Sequence, residues 1–186
     1  MIRTLLILGL ATSAVIAEPA PKYVDEAPLP EGWPEPGPYE EVVEKTYPAY
    51  RAAFTDKRGE TRAFWTLFMH IKKRDIPMTA PVEMPLEAED ERLNESGMAF
   101  LYQNQNVGKT GRDGDKIEVK DIPEAKALTF AWQGRDSKEN RQKARKAIDR
   151  ELDDRDLEAA QFRILGYNGP RTPAQKKTWE LQAILK

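Results

Sequence analysis

The chain contains no cysteine. Disulfides, thiolate metal centres, cysteine nucleophiles and lipidated N-terminal cysteines are therefore excluded. It contains a single histidine, His70, too few for a zinc centre built on several imidazoles within one chain. It lacks an excess of positive charge. The formal net charge is −2 at pH 7, which argues against a nucleic-acid binder relying on a broad basic field. A Gly-rich phosphate loop, a G-x-S-x-G elbow and an H-E-x-x-H helix are all missing. The acidic runs Glu87-Ala88-Glu89-Asp90-Glu91 and Asp153-Asp154-Arg155-Asp156 read as solvated surface, and no catalytic carboxylate pair stands out. The expectation is a protein that is not an enzyme.

A run of about 20 apolar residues, the length that spans a bilayer, is also missing. The longest uncharged apolar run, Thr4 to Ile16, is shorter and follows Arg3. Small and moderate residues precede Glu18-Pro19, so residues 1–17 read as a secretory signal peptide. The expected destination is periplasmic or secreted, with no membrane attachment after cleavage.

What is present begins with proline. Residues 18–38 hold seven of the fourteen prolines. Proline removes backbone donors and fixes φ, so this stretch is excluded from a sheet interior and reads as an extended or disordered leader. Trp33 either packs on the domain surface or stands in the linker. A folded domain is expected over residues 39–186.

Within it, Tyr39–Tyr47 and Ala49–Phe54 read as strands, followed by a turn at Asp56-Lys57-Arg58-Gly59. A helix from Glu60 to Lys72 places Phe64, Leu67, Phe68 and Ile71 on one stripe. His70 falls roughly 110° to one side of the stripe's centre, with Trp65 and Met69 on the other. Ile76–Met84 reads as a strand that Pro77, Pro81 and Pro85 confine to an edge or a bulge. Met98–Tyr102 is a strand, and Gln103–Asp115 a surface loop. Ile117–Ile122 and Ala127–Trp132 are paired strands. A helix capped by Asp136 or Ser137 runs to about Asp153, with Ala144, Ala147, Ile148 and Leu152 as its apolar side. Phe162–Tyr167 and Trp179–Leu185 close the list.

The order β-β-α-β-β therefore occurs twice. Lys45-Thr46-Tyr47-Pro48-Ala49-Tyr50-Arg51-Ala52 and Lys120-Asp121-Ile122-Pro123-Glu124-Ala125-Lys126-Ala127 echo each other 75 residues apart. The fold class is α+β with two main helices and pseudo-two-fold symmetry, as two antiparallel sheets or one distorted β-barrel.

His70 is the candidate for chemistry, since a neutral imidazole nitrogen ligates iron. The plainer reading is a helix-flank histidine with a polar neighbour. Met69, Met78, Tyr47, Tyr50, Tyr102 and Tyr167 are weaker candidate ligands. Phe64, Trp65, Phe68, Met69 and Met78 suit an apolar cleft for a flat aromatic ligand, or simply core packing. Arg51, Arg58, Arg62, Lys72, Lys73, Arg74 and Lys126 would attract a carboxylate-bearing ligand such as a tetrapyrrole, or are solvated charges at a helix end.

The helix Phe64-Trp65-Thr66-Leu67-Phe68-Met69-His70-Ile71, followed by Ile76-Pro77-Met78-Thr79-Ala80-Pro81-Val82, resembles the SOUL heme-binding protein family. The opening strands from Tyr39 to Tyr50 and the closing segment Gly166-Tyr167-Asn168-Gly169-Pro170-Arg171-Thr172-Pro173, with Trp179-Glu180-Leu181, are similar to the family's own. The resemblance implies a distorted barrel with two helices. It implies reversible, non-covalent binding of heme or a related tetrapyrrole in a hydrophobic cleft, by an exported carrier or scavenger. Two departures stand out. The loop Lys72–Asp75 is short, and His70 takes a position where the family usually has an aromatic residue. The expected binding set is His70, Trp65, Met69, Met78, Arg51 and Arg74, with His70 the candidate axial ligand of heme iron, a role that the resemblance does not supply and that would be particular to this chain. The alternative is an effector-binding or protein-interaction module using the same cleft for another amphipathic ligand or a peptide.

Overall fold

The structure, a computed structural model, describes residues 22–55, 59–87 and 93–186. The signal-peptide reading of residues 1–17 lies outside the described residues. Among the described residues, no helix is long and apolar enough to cross a membrane.

Eleven principal elements follow in chain order: β1 (Val42–Tyr47), β2 (Tyr50–Thr55), α1 (Glu60–Lys73), β3 (Val82–Pro85), β4 (Met98–Leu101), β5 (Gly111–Asp113), β6 (Ile117–Ile122), β7 (Ala125–Gln133), α2 (Lys138–Asp154), β8 (Ala159–Gly166) and β9 (Thr178–Leu185). The nine strands form one sheet in the order β1-β7-β9-β8-β3-β4-β2-β6-β5. Every pairing between named strands is antiparallel. The doubled β-β-α-β-β order is present, with β5 as an addition. Exchanging β1 with β6, β2 with β7, β3 with β8 and β4 with β9 turns the order of those eight strands into its own reverse. Among the described residues, no pairing joins β1 to β5 and closes the sheet.

Two expectations need correction. The segment Ile76–Met84 is not an edge strand. Only Val82–Pro85 is extended in the ladder, and it sits centrally, between β8 and β4. Pro77 and Pro81 precede the strand and Pro85 ends it, so the prolines bracket the ladder without interrupting it. The loop Gln103–Asp115 is not wholly irregular. It contains β5, which pairs with β6 at the sheet's end.

Both faces of the sheet are covered, which explains why Ala127–Trp132 of β7 is buried without alternation. On one face, α1 and α2 pack on Leu128, Phe130, Trp132, Phe100, Ile164, Leu181 and their neighbours. The Ser137 hydroxyl caps α2 by accepting from the Asn140 N–H at 3.3 Å, and α2 buries Ala144, Ile148 and Leu152 at four-residue steps. On the other face lie Tyr47, Tyr50, Ala52, Ala99, Leu101, Ala127, Leu165, Tyr167 and Ile184, and Trp33 of the leader packs among them.

Candidate functional site

Helix α1 is rotated relative to the stripe expected of it. Its buried side is Ala63, Leu67, His70 and Ile71, while Phe64 and Phe68 are only partly buried. The reason lies outside the helix. His70 has partners waiting on the core side, and Ala63 is small enough to let the helix lie close to the sheet.

His70 Nδ1 is 2.6 Å from Asp113 Oδ2, and Nε2 is 2.8 Å from the Tyr102 hydroxyl. The residue is 4% exposed. Both ring nitrogens of His70, the candidate axial ligand, are thus hydrogen-bonded inside the chain. A nitrogen reaches iron only after one of these bonds is broken. The Asp113–His70–Tyr102 line has the connectivity of a proton relay. It ends, however, on a buried hydroxyl whose pKa desolvation pushes up to about 12. From either side of the ring, Asp113 and Tyr102 hold the imidazole in place.

Of the expected cations, Arg51, Arg74 and Lys126 are committed to carboxylates. Arg51 donates from Nε and Nη2 to Asp121 at 2.7 and 2.9 Å, and from Nη1 to the carbonyls of Val107 and Gly108. It pins the loop after β4. Arg74 pairs with Asp113, donating from Nε to Oδ2 at 3.0 Å, with Nη2 2.8 Å from Oδ1. Arg74 first, then His70, holds the Asp113 carboxyl well below the usual aspartate range. Lys126 pairs with Glu44 at 3.4 Å, away from α1. Arg58 lies outside the described residues.

What α1 leaves exposed is a ridge. Trp65 and Met69, one turn apart, are each 56% exposed, the two large hydrophobic side chains that stand out to solvent among the described residues. Phe64 and Phe68 stack at 6.0 Å, 11° from parallel, and Trp65 meets Phe68 edge-on at 5.5 Å. Phe64 rests on Phe100 of the core. Met78 is partly buried against that same core and not part of the exposed edge. Arg62, Lys72 and Lys73 are exposed on the helix and make no ion pair among the described residues. Two cavities, of about 260 and 430 Å³, lie elsewhere, beside β6 and beside the start of α2. At this position α1 presents an exposed apolar ridge to solvent.

For heme as cargo, the fit divides. A flat apolar face with cations beside it suits a porphyrin ring and its propionates. Both His70 nitrogens are hydrogen-bonded, and among the described residues Met69 presents the exposed sulfur.

The chain matches the model of the SOUL heme-binding protein family over residues 38–181. The chain belongs to that family. In SOUL terms, the ridge is the face of the helix that carries the aromatic motif quoted above. A comparison with curated proteins found no match. Among solved structures, the C-terminal domain of EcmrR is similar, with a TM-score of 0.61 at 14% identity, covering 78% of this chain and 97% of that one. An uncharacterized conserved protein from Listeria innocua has a TM-score of 0.58 at 12% identity, covering 80% of this chain and 94% of that one. A hydrolase from the same organism has a TM-score of 0.55 at 11% identity, covering 81% and 94%. At such identities the likeness establishes the fold alone.

The sequence reading missed a second polar assembly. On the sheet face away from the helices, Arg163 donates to Glu83, to the Tyr50 hydroxyl and to Gln182 at 3.1, 2.6 and 2.7 Å. Gln182 and the Tyr47 hydroxyl both donate to Glu180 Oε1 at 2.6 Å, and Lys45 reaches Oε2 at 2.7 Å. Arg163, Glu83, Glu180 and Gln182 are each buried. A signal existed: each is a polar residue inside an apolar strand, at an alternation position shared with buried neighbours.

Proposed function

We propose that this SOUL protein binds heme or a related tetrapyrrole reversibly on the α1 ridge, as a non-catalytic carrier or scavenger working after export. The single observation that carries the reading is the exposure of Trp65 and Met69 on the family's motif helix. The nearly palindromic strand order supports describing the scaffold as two fused halves related by a pseudo-two-fold axis, curling toward a distorted barrel.

Magnitudes decide what kind of binding this is. Covering roughly 150 Å² of apolar side chain contributes about 4 kcal/mol. Two exposed propionate–cation pairs add about 1 kcal/mol each at best. The total, about 6 kcal/mol, corresponds to tens of micromolar. Tighter binding requires a bond to iron, and Met69 offers the exposed thioether. Heme supplies the iron and the visible spectrum; the chain's own part is to present the ring face and the cations. Comparing hemin with metal-free protoporphyrin by absorbance titration tests this. Hemin binding more tightly, with the difference erased by Met69→Leu, supports the sulfur ligand. No saturation by either compound removes the reading.

The second reading, an effector-binding module, is favoured by one observation only, the polar and aromatic sheet face under the leader.

A further inference from the structure

Residues 22–38 cross that sheet face without forming a strand or helix. They are held by spaced contacts. Asn168 Nδ2 donates to the Val24 carbonyl at 2.7 Å, the Ala80 N–H to the Pro28 carbonyl at 3.0 Å, and the Glu31 N–H to the Gln103 carbonyl at 2.8 Å. The Glu26 carboxylate accepts from the Gly169 N–H at 2.7 Å and from the Thr172 hydroxyl. Lys45 Nζ donates to the Glu35 carbonyl at 3.0 Å.

Between these anchors Trp33 enters the face and is 5% exposed. Its ring meets Tyr47 at 4.8 Å and Tyr50 at 5.2 Å, both edge-to-face, and the Arg163 guanidinium lies 5.6 Å from its centroid. Its indole N–H donates to the Tyr167 hydroxyl over a long 3.5 Å. Two features separate this from ordinary core packing. The polar floor is satisfied by its own bonds, among Arg163, Glu83, Tyr50, Gln182, Glu180, Tyr47 and Lys45. The floor is therefore built without help from Trp33. In addition, closing the leader buries the Tyr23 hydroxyl with no hydrogen-bond partner, a cost that lifting the leader would remove.

We infer that this face is a binding site for a neutral, electron-rich aromatic ring, filled in cis by Trp33, and that a small indole-like molecule takes the place when the leader lifts. The Arg163 cation beneath the ring selects the electron-rich face of an arene and opposes a cationic one. Two carboxylates and two cations line the floor, so a neutral ligand leaves its charge balanced.

The test uses indole itself and the full chain, without heme, so its outcome is separate from the tetrapyrrole reading. Glu26→Ala loosens the leader at an exposed anchor while leaving the cage and Trp33 untouched. Indole is expected to bind this variant saturably, at least about ten-fold more tightly than wild type, a difference of about 1.4 kcal/mol. The Trp33 indole N–H resonance should shift toward its solvent position as binding proceeds. 1-Methylquinolinium, of similar size but cationic, should bind at least about ten-fold more weakly than indole; equal binding overturns the assignment of an electron-rich ring. Trp33→Ala, which empties the cage, should also bind indole. Binding to Trp33→Ala alone, with Trp33 undisplaced in Glu26→Ala, would mark an engineered cavity and overturn the site. Failure of both variants to bind overturns it as well.

Discussion

His70 Nδ1 and Asp113 Oδ2 meet at 2.6 Å across 43 residues of chain, tying the last turn of α1 to the edge strand β5. The contact turns the one histidine of the protein inward. It also gives the surface loop after β4 a structural task.

Asp113→Asn tests that tie. The Asp113 carboxyl is held low by Arg74 and then by His70. A depressed carboxyl contributes stability above its unfolded pKa, near 3.8, and loses it as pH falls through the folded value. Wild type should therefore lose stability progressively below about pH 4, and Asp113→Asn should show a shallower acid dependence. At neutral pH the substitution should cost about 1–2 kcal/mol in urea denaturation, a figure reduced because Asp113 is partly screened by solvent. An unchanged acid slope would contradict the assignment.

The leader should respond to acid as well. The Glu26 carboxyl is lowered first by the Thr172 hydroxyl and then by the Gly169 N–H, with Arg171 and Lys177 as the nearby charges. Its anchoring is present above 4.5 and lost as pH falls through the lowered value. The Gly169 amide resonance should titrate with a midpoint below 4.5. A midpoint at or above that value would show that the anchor is not formed in solution.

The buried ion pair gives a larger effect. Arg163→Met leaves Glu83 desolvated and without its cation, and should cost about 3–5 kcal/mol. Adding Glu83→Gln should recover part of that loss, because the stranded charge is removed with its partner. Additive losses in the double variant would argue that the two side chains are not coupled.

A close approach inside the sheet offers a further check. Gly166 faces Trp179 across β8 and β9, and a Cβ at Gly166 would fall 2.8 Å from the Trp179 ring. The indole cannot retreat freely, since its N–H donates to the Gly134 carbonyl at 3.2 Å. Gly166→Ala should destabilise by about 1–3 kcal/mol and change Trp179 emission.

These features differ in how far the sequence foretold them. Strand and helix order was legible because periodicity is local: Ala144, Ile148 and Leu152 mark α2's buried side without knowledge of the sheet. The orientation of α1 was not legible. A helical wheel sees Phe64 and Phe68 but cannot see Tyr102 or Asp113, which arrive from 32 and 43 residues away and draw His70 inward. Among the described residues of the leader, 22–38, no strand forms. The prolines said nothing about burial, and the Trp33 side chain is buried on the sheet face. The prolines around β3 misled for the same reason, since each falls outside the strand or at its end. Arg51 and Arg74 looked available because their carboxylate partners, Asp121 and Asp113, lie far off in sequence.

Hemin titration of wild type, His70→Gln and the double variant Trp65→Ser/Met69→Ser tests the central claim most directly. The ridge account predicts a saturable Soret change in wild type at tens of micromolar, retained in His70→Gln, and weakened about ten-fold or more in the double variant. No saturable change up to roughly 100 μM would contradict it, as would loss in His70→Gln with full retention in Trp65→Ser/Met69→Ser.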